Sequence, residues 1–242
     1  MELDFKNKTV LITGGEGGIG KTTTNQFLKL GAKVIVTTTK KEFINRGTNK
    51  KIYMYLDFNI NSSFKNFLNN LKKIKKIDVL INNAGINELA SINEINESFL
   101  EKIHKVNLIG PALMTKEISK IMIKNKSGKI INISSIFGVV GKEKRSLYSS
   151  TKFGLIGLTK STSLDLAKHN ILVNSVSPGV IGTGLTKKVL SLKELKKIKK
   201  EIPLNKLGEP KDVSYLICFL CSKFNKYITG QNFLIDGGYT AK

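Results

Sequence analysis

The sequence predicts a doubly wound α/β domain built on a parallel sheet, and three observations carry that prediction. Short β-branched runs alternate with amphipathic stretches from end to end, the pattern of strands joined by crossover helices. No Pro/Gly/Ser-rich linker, composition break or internal repeat divides the 242 residues, so a single domain is expected. Small and polar residues crowd the C-terminal ends of the runs, where sheets of this kind bind their ligands.

The first run, KTVLIT (8–13), leads through TGGEGGIG into a helical pattern over 19–30. KVIVTT (33–38) and KIYMYLD (51–57) read as strands two and three. A helix is expected over 61–75, strand four in DVLIN (78–82), and a long helical pattern over 97–124. GKIINIS (128–134) is strand five, followed by a helix over 147–168 and strand six in ILVNSVS (171–177). A basic, helix-like stretch then interrupts the alternation, and 183–209 is expected to form a substrate lid. A helix over 210–222 and a last strand in NFLID (232–236) complete the series.

Composition excludes several classes. A mean hydropathy of -0.08 is that of a globular protein, and no apolar run reaches the roughly 18 residues a membrane span needs. The N-terminal MELDFKNKTV has no signal-peptide core, so a cytoplasmic location is expected. The net charge of +22 invites a nucleic-acid reading, yet arginine occurs only at Arg46 and Arg145. Nucleic-acid recognition favours the guanidinium fork, and the lysines are spread along solvated helix faces, so neither nucleic acid nor membrane is expected as a partner. Cys218 and Cys221 form C-x-x-C on an apolar helical pattern with no second ligand pair, and they read as core residues. His104 and His169 have no ligand at metal spacing, and no metal site is expected.

The turn after strand one supports two readings. Gly15 to Thr22 spells G-x-x-x-x-G-K-T, a triphosphate-binding loop, while Thr13 to Gly20 spells T-G-x-x-x-G-x-G, a dinucleotide-binding turn. Both place backbone N–H groups at a helix N-terminus against phosphate. A triphosphatase also needs an aspartate at a later strand end for magnesium, and FLID, which ends at Asp236, lies at the extreme C-terminus. A third reading, a non-catalytic basic binding protein on the same scaffold, is weakened by Ser135, Tyr148 and Lys152. Tyr148 and Lys152 are four apart on a helical pattern and share one face. A cation beside the phenol lowers its pKa toward the working range of an acid/base, and Ser135 at the end of strand five can reach the same substrate oxygen.

With these residues in view the chain resembles a short-chain dehydrogenase/reductase over nearly its whole length. The resemblance rests on TGGEGGIG, NNAG (82–85), Asn107 in KVNLIG, Ser135 thirteen residues before Tyr148, YSSTK (148–152) and SPGVIGT (177–183). It implies a Rossmann fold, Tyr148 as proton donor or acceptor, and Ser135 orienting the carbonyl. It further implies that Lys152 binds the nicotinamide ribose and depresses the Tyr148 pKa, and that Asn107 holds a proton-relay water. Cofactor contacts fall to Thr13, Gly14, Glu16, Gly18, Ile19 and Gly20 at the pyrophosphate turn, Thr38 and Thr39 after strand two, and Asp57 and Phe58 at the adenine. Asn83, Ala84 and Gly85 fall at the adenosine edge, and Pro178, Gly179, Ile181 and Thr183 at the nicotinamide, with Tyr148 and Lys152 completing the set. The triphosphatase reading then gives way to a dinucleotide.

At the end of strand two, where an acidic residue would mark NAD, stand Thr38, Thr39, Lys40 and Lys41, which favour NADP. Glu16, and Gly17 where many NADP-dependent relatives carry arginine, argue for NAD. Within the family the chain most resembles the β-ketoacyl-acyl-carrier-protein reductases, through GLIGLTKS and YITGQNFLIDGG, segments shared with relatives acting on sugars, steroids and small alcohols. The expected partner is a small carbonyl or alcohol substrate, such as a 3-oxoacyl thioester or a sugar-like compound, anionic or presented on a carrier protein. Lys142, Lys144 and Arg145 in GKEKRS (141–146) could recognise an anionic substrate, but a solvated loop is the expectation. A homotetramer is expected on the helices 97–124 and 147–168 and the C-terminal segment, because a sheet covers only one face of the apolar 147–168 helix.

Overall fold

In the computed structural model, which describes residues 2–184, 186 and 190–241, seven strands form one parallel sheet in the order β3-β2-β1-β4-β5-β6-β7. The strands are β1 (Thr9–Thr13), β2 (Lys33–Thr38), β3 (Lys51–Tyr55), β4 (Val79–Asn82), β5 (Gly128–Ile133), β6 (Ile171–Pro178) and β7 (Asn232–Ile235). Their registers, such as Leu11 against Ile35 and Leu80, align the C-terminal ends along one edge. After β3 the order reverses across β1 to β4, which opens a crevice where two neighbouring strands send their chains away in opposite directions.

The helices are α1 (Gly18–Lys29), α2 (Asn61–Leu71), α3 (Glu97–His104), α4 (Gly110–Lys124), α5 (Ser146–Ala167), α6 (Leu192–Glu201) and α7 (Pro210–Cys221). Strand alternation divides the core between the two faces. Val10, Ile12, Val34 and Val36 pack with Phe27 of α1 and with Val213, Ile217 and Cys218 of α7. Leu11, Ile35, Leu80 and Ile130 pack with Phe67 and Leu71 of α2, Met114, Ile118 and Met122 of α4, and Leu166 of α5. Cys218 and Cys221 are buried free thiols, as expected; burial pushes the Cys218 pKa up to about 12 and that of Cys221 well up too.

The single helix expected over 97–124 is interrupted. α3 and α4 are joined by a π-helical turn, Lys105–Ile109, because Pro111 has no N–H to give to the carbonyl of Asn107 four residues before it. The basic stretch does form a helix, α6, started by a capping box between Ser191 and Glu194. Of the expected lid, residues 185 and 187–189 lie outside the described residues. No helix among the described residues is long and apolar enough to cross a membrane, and they contain no cluster of metal-binding side chains.

Candidate active site

The strand ends surround a cavity of about 710 Å³. At one end of it the chain leaves β1 through Gly14 at φ +63 and enters α1, a left-handed conformation that a side chain would strain. The N-cap of α1 is Gly17, without a side-chain cap, and the first turn carries no acidic residue. The leading N–H groups and the positive end of the helix are thus left for an anion. A Cβ on Gly20 would come 2.5 Å from the carbonyl oxygen of Gly14, so the helix is packed directly on the turn. Thr13 ties this turn to the end of β4: its hydroxyl accepts from the backbone N–H of Asn83 and Ala84 at 2.9 and 3.0 Å. The Asn83 amide donates back to Thr13 and Gly14 carbonyls at 2.9 and 3.0 Å.

This turn does not build a triphosphate site. Lys21 is exposed on α1, and the Thr22 hydroxyl donates to Gly18 O at 3.4 Å. Asp236 is occupied by Gly238 and Thr240, whose groups donate to it at 2.6 to 2.9 Å. What the turn fits is a dinucleotide lying along the edge of the sheet. Gly14, Glu16, Gly18 and Ile19, then Thr38 and Thr39, Asp57 and Phe58, Asn83 to Gly85, and Pro178, Gly179, Ile181 and Thr183 all line the cavity. The Thr38 hydroxyl is partly spent at home, accepting from Lys40 N at 3.0 Å.

At the other end stand Ser135, Tyr148 and Lys152. Ser135 follows β5, and its hydroxyl accepts from Phe137 N at 3.2 Å and sits close enough to the Tyr148 phenol to draw its pKa down. Lys152, one helical turn along α5 from Tyr148, is 4% exposed. Its ammonium donates to Ile133 O at 2.8 Å and lies 5.5 Å from the centre of the Tyr148 ring. Burial brings the Lys152 pKa down to about 8.

The expected depression of the Tyr148 pKa is not what this geometry gives. Burial raises it, and the Ser135 hydroxyl and the charge of Arg145 only partly offset that. Lys152 donates its hydrogen bond to the end of β5 rather than to the phenol, and the charge of Arg145 is a further influence on Tyr148.

Thr13, Gly20 and Asn107 sit behind the cavity wall. Asn107 is fully buried in the π-helical turn. Its amide donates to Ile86 O at 2.9 Å and to the Thr151 hydroxyl at 3.3 Å, and its carbonyl oxygen accepts from Ile86 N at 2.9 Å. It clasps the chain leaving β4 to the helix that carries Tyr148.

The loop 141–146 corrects the expectation of simple solvation. Lys144 is exposed, but Lys142 pairs with Glu201 of α6 at 3.1 Å, and Arg145 is buried in the cavity wall. The sequence signal was position: Arg145 lies three residues before Tyr148, at the mouth of the same helix.

A family model described as enoyl-(acyl carrier protein) reductase matches residues 14–240. The 3-oxoacyl-acyl-carrier-protein reductase FabG of Rickettsia typhi is 38% identical over 237 residues, spanning 98% of each chain. That of Aquifex aeolicus is 37% identical over 250 residues, spanning 98% of this chain and 99% of its own. Among solved structures, ElxO with NADP bound has a TM-score of 0.89 at 35% identity, covering 97% of this chain and 99% of that one. The 4-hydroxyisoleucine dehydrogenase complexed with NADH has a TM-score of 0.91 at 34% identity, covering 98% and 100%. Together with the phosphate turn at one end of the cleft and Ser135, Tyr148 and Lys152 at the other, these matches establish that the chain belongs to the short-chain dehydrogenase/reductase family of NAD(P)-dependent oxidoreductases.

Proposed function

We propose that this protein reduces the ketone of a 3-oxoacyl compound to a secondary alcohol with NADPH. The observation that carries the reading is Ser135 and Tyr148 together in the cavity wall, with Lys152 buried one turn behind. The names of the FabG relatives supply the 3-oxoacyl class, and the NADP carried by ElxO supports the cofactor. Acyl carrier protein appears in the names of those relatives; for this chain the proposal is confined to the 3-oxoacyl class, free or carried.

A bound nicotinamide dinucleotide supplies the hydride. The chain's own residues supply position and a proton: the α1 turn holds the pyrophosphate and Lys152 the nicotinamide ribose. Ser135 donates a hydrogen bond to the substrate carbonyl oxygen, and Tyr148 passes its phenolic proton to that oxygen as it becomes an alcohol. The raised Tyr148 pKa suits a proton donor in the reductive direction, because the phenol stays protonated until the alkoxide forms. Asn107, held by Ile86, would hold the water that hands a proton from solvent back to the Tyr148 phenolate. The segment that includes α6 serves as the lid, held to the catalytic loop by Lys142 and Glu201.

Tyr148→Phe tests the assignment. It removes the transferable proton and little else, so kcat should fall roughly 10²- to 10⁴-fold while NADPH binding stays near wild type. Turnover at the wild-type rate would end the proposal. The description of the matched family favours one other reading, reduction of an enoyl double bond. Comparing NADPH oxidation with a 3-oxoacyl and a 2-enoyl thioester of equal length separates the two.

A further inference from the structure

Arg145 differs from the other cations of this region. Lys142, three residues before it, is paired with Glu201, and Lys152 donates to Ile133 O. Arg145 is 8% exposed in a loop whose neighbours are mostly open to solvent, and it lines the cavity beside Tyr148. Its guanidinium lies 5.3 Å from the centre of the Phe137 ring and has no hydrogen-bonding or ion-pair partner among the described residues.

Glu194 of α6 shares its electrostatic field. That carboxylate is beyond ion-pair reach and is engaged by Ser191, whose N–H and hydroxyl donate to it at 2.8 and 2.7 Å. Burial draws the Arg145 pKa down, as for a charge partly removed from water and lacking an ion-pair partner. Such a charge is costly until an anion meets it, and an aromatic face offsets only part of the cost.

A second feature points at the same spot. Arg145 is the N-cap of α5, with no side-chain cap and no acidic residue in the first turn of a 22-residue helix. The positive end of that helix therefore adds to the guanidinium. The planar fork suits a carboxylate held by two parallel hydrogen bonds. Among the described residues Arg145 is the buried cation of this cavity wall without a hydrogen-bonding or ion-pair partner, and its single planar fork suits a carboxylate.

We propose that Arg145 anchors a substrate carboxylate, so that the compound reduced here is a free 3-oxo acid rather than its thioester. The choice of ketone rests on the reductase reading above; the anion anchor rests on Arg145 itself. Arg145 and Tyr148 are separated by one helical turn, about 5 Å along the surface, a spacing that a carboxylate two carbons from the ketone can bridge.

The test is a titration of the full chain, with and without NADP, using 3-oxobutanoate, its methyl ester and its N-acetylcysteamine thioester. In the wild type the acid should bind more than tenfold tighter than either neutral derivative. Arg145→Gln should shrink that ratio to under twofold, and Arg145→Lys should keep part of it. Initial rates of NADPH oxidation should give the same ratios in kcat/KM, expressed mainly in KM. Equal binding of acid and ester by the wild type, preference for the thioester, or an acid preference that survives Arg145→Gln would each overturn the proposal. The wild-type ratio decides even where a variant fails to fold. An Arg145-dependent acid preference with no oxidation of NADPH by any ketone would leave the anchor standing and remove the reductase reading.

Discussion

At Glu16 one carboxylate oxygen is shut off from solvent with no hydrogen-bond partner, in the wall of the cavity that also holds Thr39 and Lys40. A 2′-phosphate beside that carboxylate meets a like charge, while the hydroxyl of NAD meets an acceptor. Glu16→Gln should therefore tighten NADPH binding, by about 1 kcal/mol if the pair is partly screened, and leave NADH nearly unchanged in fluorescence titrations. An equal gain for both cofactors would show that Glu16 does not face the ribose. Lys152 gives a pH signature. Its pKa falls from 10.5 to about 8 on folding, so between those values the unfolded chain holds a proton that the folded one has released. Folding stability from this group rises with pH across that window. The melting temperature of the wild type should gain on that of Lys152→Met between pH 8 and pH 10, and a constant difference would argue against the buried, perturbed lysine.

At the scale of elements, the junction of α3 and α4 decides how the site is braced. Pro111 cannot complete the helical hydrogen bond to Asn107, the helix opens into a π turn, and the Asn107 side chain reaches both backbone groups of Ile86. Asn107→Ala should leave those groups without side-chain partners and cost about 1–3 kcal/mol, read as a lower denaturant midpoint. Because the same clasp adjoins Thr151 on α5, kcat should fall more than KM rises. A variant with normal kcat would restrict Asn107 to stability.

At the scale of the whole molecule, α4 and α5 leave apolar surface uncovered. Leu155 and Leu166 of α5 are buried, yet Leu164 is 78% and Phe153 48% exposed, with Ile109 at 47% beside the start of α4. Phe153, Gly157 and Leu164 recur on one stripe of α5, opposite the face on the sheet. This stripe favours association of copies through α4 and α5, for which we propose the homotetramer expected from the sequence, with the net charge of +22 making association weaker at low salt. Sedimentation at moderate ionic strength should give a mass several times 26.8 kDa, and Leu164→Asp should lower it. A wild-type monomer at micromolar concentration would refute the assembly.

The sequence by itself determined the strands, the sheet's parallel character and the phosphate turn. Each follows from residues within about ten positions of one another: β-branched runs, glycines at a turn, Tyr148 and Lys152 one helical turn apart. It also placed most of the cavity lining, since parallel strands bring their C-terminal ends to one edge whatever the loops do. The split of 97–124 was written in Pro111 but masked by the continuous amphipathic pattern on either side of it. Tertiary structure alone decided the rest. Arg145 is an ordinary member of a charged loop until the ring of Phe137, 8 positions away, packs against its guanidinium. Lys152 has its pKa lowered, and Tyr148 its pKa raised, because packing removes water from both. Desolvation is a sum over everything that surrounds a group, and most of those neighbours are distant in the chain.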